Sequence, residues 1–115
     1  MILKKDDLIK ESRSNMRGGR GDIELTHLVS EEILGQSSRL FSINTIKPGD
    51  SIGDHPHHGE KEIYVFQKGQ GMVTDDDKEV AVFPGDVMVT PNGHSHSVTN
   101  TGHEDLVFIA LIIKD

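Results

Sequence analysis

Two histidines separated by a single residue, His55 and His57, constrain this chain more than any other feature. They sit in a stretch that runs from Gly49 to Gly69 and carries Pro56, His58 and Gly59 around them. Side chains of an extended strand alternate between its faces, so residues two apart share a face, roughly 7 Å apart along the chain. Glu62 follows Gly59, a residue suited to a bend, and opens the apolar run Ile63 to Phe66. Two imidazoles and a carboxylate on neighbouring strands supply half of the coordination sphere of a divalent ion. A second stretch, Gly85 to Asn100, brings another histidine, His96, after the turn Pro91-Asn92-Gly93.

The rest of the chain reads as short strands between turns. Turn signals recur at Pro48-Gly49, Gly69-Gln70-Gly71, Asp75-Asp76-Asp77, Pro84-Gly85, Pro91-Asn92-Gly93 and Thr101-Gly102. Runs rich in Val, Ile, Phe and Thr lie between them, without helical periodicity, which predicts an all-β sandwich or barrel. Asp22 to Val29 alternates Ile23, Leu25, His27 and Val29 on one face, and Leu40 to Ile46 is a further strand. Leu106 to Ile113 is expected to be a strand buried on both faces. One helical turn is expected after Ser30, capped by that serine and ended by Gly35. Residues 1–21 are expected to form an N-terminal arm, Met1 to Ser14, and a glycine-arginine loop, Asn15 to Gly21; residues 22–115 would form the barrel domain.

Glycine and histidine spacing together resembles the two signature motifs of the cupin superfamily. Gly49, His55, His57, Glu62 and Gly69 match the first, and Gly85, Pro91, Gly93, His96 and Asn100 match the second. The resemblance implies a double-stranded β-helix, the jelly-roll barrel, with His55, His57, Glu62 and His96 as ligands of one divalent metal. Mixed nitrogen and oxygen donors without sulfur suit Mn(II), Fe(II), Ni(II), Co(II) or Zn(II). The chain looks most like small single-domain proteins of the oxalate-decarboxylase-like group, whose characterised enzymes use manganese. Decarboxylases of that group carry a substrate-binding arginine three residues before the first metal histidine, where this chain has Ile52. They also carry an acidic lid that is not recognisable here.

A divalent ion with one carboxylate ligand leaves a net positive centre that attracts a small carboxylate such as oxalate. Arg17 and Arg20, in the glycine-rich loop, are the candidates to grip it, because a guanidinium matches carboxylate geometry. Tyr64 shares parity with Glu62 and can line the interior; His94 shares parity with His96 and can line the mouth. His58 is out of phase and faces away. The competing readings are a non-catalytic binding or sensing module and another cupin enzyme, a sugar isomerase or Fe(II) dioxygenase. A net charge of −7 argues against nucleic acid and anionic membranes as partners. Absence of cysteine and of an apolar leader in Met1 to Lys10 suits a cytoplasmic protein. Small cupins of this kind commonly pair as homodimers, and the arm is the segment expected to be exchanged.

Overall fold

The computed structural model describes residues 1–115. Ten strands form two antiparallel sheets. The larger contains β1 (Ile9–Ser14), β2 (Asp22–His27), β3 (Ser38–Ile46), β10 (Leu106–Lys114), β5 (Glu60–Lys68) and β8 (Val87–Thr90), in that spatial order. The smaller runs β4 (Ser51–Pro56), β9 (Ser95–Asn100), β6 (Gly71–Asp75), β7 (Lys78–Val82). The all-β expectation holds, and the single helical turn, α1 (Glu31–Leu34), lies where it was expected. Ser30 Oγ accepts a bond from Ile33 N–H, and Gly35 ends the turn at φ 66°.

Strand alternation places the core between the sheets. Glu62, Tyr64 and Phe66 of β5, Leu106, Phe108, Ala110 and Ile112 of β10, and His96, Val98 and Asn100 of β9 are all buried. At one end the contents are apolar: Phe66 and Phe108 pack with ring centroids 5.4 Å apart, beside Ile23, Leu25, Ile46 and Val98. Each such side chain contributes about 1.5–3 kcal/mol by leaving water. Toward the other end the same strand faces turn polar, from Phe66 through Tyr64 to Glu62 on β5, and from Val98 to His96 on β9. Ala110 pairs with both Tyr64 and Ser42, and these small residues leave room for the tyrosine ring and the polar cluster above it.

Two expectations change. The first fourteen residues are not an independent arm: Lys5–Asp7 form a 3₁₀ turn and β1 pairs with β2 from Ile9↔His27 to Ser14↔Asp22 at the edge of the large sheet. In β10 only one face is fully buried, because it is central in the large sheet and its other face, Val107 to Ile113, is half-covered.

Asn100 ties the end of β9 to two loops. Its Nδ2 donates to the carbonyls of Ile46 and Glu104, both at 2.8 Å, and its Oδ1 accepts from Gly102 N–H at 2.9 Å. Asn100 is 1% exposed, so water cannot replace these bonds. Asn100→Ala should therefore cost about 2–4 kcal/mol in chemical denaturation. A loss under about 0.5 kcal/mol would show that these bonds do not fasten the loops.

Candidate metal centre

His55 and His96 are direct register partners across β4 and β9. Between Ile52↔Val98 and His55↔His96 the register shifts, so Gly53 and Asp54 together oppose Ser97. This bulge changes the phase of β4. Ile52 and His55 are three apart yet both point inward, 1% and 6% exposed. His57 lies just beyond β4 and is held by the backbone bonds His57 N–H to His94 O, 3.0 Å, and Gly93 N–H to His57 O, 2.7 Å. Glu62 arrives from β5, in the opposite sheet.

The four side chains converge. His57 Nε2 is 3.0 Å from His96 Nε2, and His96 Nε2 is 3.1 Å from His55 Nε2. Glu62 Oε1 lies 3.0 Å from both His57 Nε2 and His96 Nε2. All four donor atoms fall within 4.8 Å of one another, and all four residues are buried. The outer ring nitrogens are also engaged: His55 Nδ1 donates to Gly53 O at 2.8 Å, His57 Nδ1 donates to Glu60 Oε2 at 2.6 Å, and His96 Nδ1 meets Thr90 Oγ1 at 2.7 Å. Each of these bonds leaves Nε2 aimed at the common centre.

A cavity of about 300 Å³ opens onto this cluster, lined by His55, His57, Glu62 and Tyr64 at its floor and by Arg13, Arg17 and Arg39 at its wall. Tyr64 is stacked on His96, centroids 4.9 Å apart at 25°. Arg17 takes a left-handed conformation, φ 55°, and its loop is seated against β4 through glycines. A side chain on Gly53 would collide with the carbonyl oxygen of Arg17, and one on Gly19 would collide with the backbone of Ser51.

The two other residues singled out for substrate lie elsewhere. Arg20 is exposed and fastens the loop through its backbone, donating from N–H to Ser51 Oγ at 3.0 Å and accepting from Ser51 N–H at 2.9 Å. His94 precedes β9, so strand parity does not govern it; its ring turns outward to Asp76 Oδ2 at 2.7 Å. Sequence reasoning missed Arg13, Arg39, Glu60 and Thr90. Of these only Thr90 carries a local signal, its place just before the Pro91 turn.

The sequence matches the family described as Cupin domain over residues 42–112, more than half of the chain. This chain belongs to the cupin family. It is 44% identical over 113 residues to a Thermotoga maritima protein named an oxalate-binding protein, covering 98% of this chain and 93% of that one. A crystal structure described as a predicted oxalate decarboxylase, also from Thermotoga maritima, superposes with a TM-score of 0.94 at 43% identity over 100% of both chains. The cupin domain of Schizosaccharomyces pombe Cnp3 shares the fold alone, with a TM-score of 0.74 at 16% identity over 91% of this chain and 69% of that one.

The buried cluster of this cupin could hold one metal ion, its four donor atoms lying within 4.8 Å of one another. Electrostatics agree with the donor roles. Burial pushes Glu62 upward, but bonds from His57 and His96 outweigh it and hold its carboxyl at about 2. The bond to Glu62 raises His57, against burial, and Glu60 adds to the rise. Burial lowers His55.

Protons and a divalent ion compete for the same Nε2 atoms. Metal affinity should fall at least tenfold per unit below about pH 6.5, with His57 extending the competition upward. In the metal-free protein His57 acts in the opposite sense. Its raised pKa contributes stability fully below the unfolded value near about 6.5, and that contribution is lost as pH rises through the folded pKa. The melting-temperature rise produced by added Mn(II) should therefore grow between about pH 5.5 and about pH 8. A rise of equal size at every pH in differential scanning would refute the competition.

Proposed function

We propose that this cupin holds one divalent metal through His55, His57, Glu62 and His96 and binds a small dicarboxylate, oxalate foremost, at the open positions of that ion. The observation that carries this reading is the meeting of a buried three-histidine, one-carboxylate cluster and an arginine wall in one cavity. Arg13 and Arg39 are already paired with Glu11 and Glu60, whereas Arg17 is engaged by no carboxylate of the chain. Arg17 is thus the guanidinium free to donate two parallel hydrogen bonds to a bound carboxylate. The Thermotoga maritima relative named for oxalate binding supports the choice of anion. Manganese is the first candidate for the metal, from the oxalate-related cupins it resembles; Fe(II), Co(II), Ni(II) and Zn(II) suit the same nitrogen and oxygen donors.

Binding fits the cavity better than decarboxylation. Glu62 is the only carboxylate in its lining, and it is committed to the cluster. Tyr64 is the other acidic group of the lining, and burial, followed by the charge of Glu62, raises its hydroxyl well above the usual range, so it stays protonated. No carboxylic acid stands ready to move a proton. Ile52, in the position of the decarboxylase arginine, points into the core and cannot be replaced by a charge without burying it.

Calorimetric titration of the Mn(II)-loaded protein with oxalate should show binding. Arg17→Ala should weaken it about 10- to 100-fold, the value of one charge-assisted bidentate contact, and Arg20→Ala should leave it within about threefold. Absence of heat with oxalate and with other small dicarboxylates would sink the anion reading. Equal affinity in Arg17→Ala would remove Arg17 from it.

A further inference from the structure

Three histidines point Nε2 at the centre, but their outer nitrogens meet unlike partners: a backbone carbonyl for His55, a hydroxyl for His96 and a carboxylate for His57. Glu60, the partner of His57, is itself clamped. Arg39 Nε donates to its Oε1 at 2.7 Å and Arg39 Nη2 to its Oε2 at 2.8 Å. The Glu60 side chain is 12% exposed and both its oxygens are used, while the Arg39 side chain that clamps it is 41% exposed. The backbone accounts for the reach. Ile112 pairs with Leu40 and Ile113 with Ser38, so Arg39 is the extra residue of a bulge in β3. A bulge re-aims a side chain. Here it lets Arg39 extend past the end of β10, where Lys114 pairs with Glu60, to a residue two strands away.

We propose that Arg39 and Glu60 are a positioning pair that fixes the His57 ring, Nδ1–H outward and Nε2 inward, for metal binding. The proposal rests on the metal reading above. Thr90 and the Gly53 carbonyl orient their rings as uncharged partners. Glu60 alone adds charge, which makes the ring a stronger donor, while Arg39 keeps that charge from swinging toward the ion. Arg39 also lines the cavity, so the wall that faces an entering anion is fastened to a metal ligand through one carboxylate.

Two readouts test it in the full chain: Mn(II) affinity by calorimetry, and the downfield His57 Nδ1–H resonance in the metal-free protein, assigned by its loss in His57→Gln. Glu60→Ala should weaken Mn(II) about 10- to 100-fold and lose the resonance to exchange. Glu60→Gln, which keeps size and an acceptor oxygen, should keep the resonance shifted upfield with an intermediate affinity, and it stands in if the alanine variant fails to fold. Arg39→Ala should weaken Mn(II) less than Glu60→Ala, and the double variant should be no weaker than Glu60→Ala alone. A folded Glu60→Ala or Glu60→Gln variant with parental affinity and an unchanged resonance would overturn the pair. A parent protein that binds no Mn(II) would overturn the metal reading instead; the resonance in the metal-free protein would still decide whether Glu60 holds the ring.

Discussion

Everything at the polar end of this barrel depends on one desolvated carboxylate. Glu62 is 4% exposed inside the barrel, a placement that costs several kcal/mol unless its charge is met. It is met by two imidazole nitrogens at 3.0 Å. Those rings can stand so close only because each is turned by a bond on its far side, from Gly53, Glu60 and Thr90. The requirement propagates outward: a bulge in β4 to bring His55 inward, a turn at Gly93 to seat His57, and small residues on β3 and β10 to leave the space.

The division of the interior into an apolar and a polar half follows from continuing the same strand faces. Phe66, Tyr64 and Glu62 lie along one face of β5, and Val98 and His96 along one face of β9. Tyr64 stands at the boundary, packed on Phe108 at 4.4 Å below and on His96 at 4.9 Å above. The apolar half gives the fold its stability, and the polar half can give up packing density to a cavity because the sheets are already joined beneath it.

What could be read from the sequence was what local spacing encodes. Glu62 and Tyr64, two apart, obey strand alternation, His55 and His57 share a side although His57 lies just past the end of β4, and the glycines at 49, 69, 85 and 93 all take positive φ, 80° to 96°. His94 was misplaced because alternation was extended through a turn residue that belongs to no strand. The first strand escaped notice because Ile9-Lys10-Glu11-Ser12-Arg13-Ser14 has no apolar face; as an edge strand it needs none. Arg39 and Glu60 were invisible for a different reason. They are 21 residues apart, come from strands separated by β10, and meet through a bulge that no pattern of apolar residues announces.

The glycine seat beneath Arg17 has a consequence for kinetics. With Gly19 and Gly53 in backbone contact, the loop from Asn15 to Gly21 cannot lift from β4 without losing the Arg20–Ser51 bonds, so the entrance is shaped during folding. A guest molecule then meets a preorganised doorway and owes little conformational entropy for ordering it. Under the proposed function, such a doorway would discriminate by length, favouring a short, stiff dianion over a longer flexible one that has to coil or displace the seat. The fixed shape of that entrance thereby rests on two hydrogen atoms, the side chains of Gly19 and Gly53.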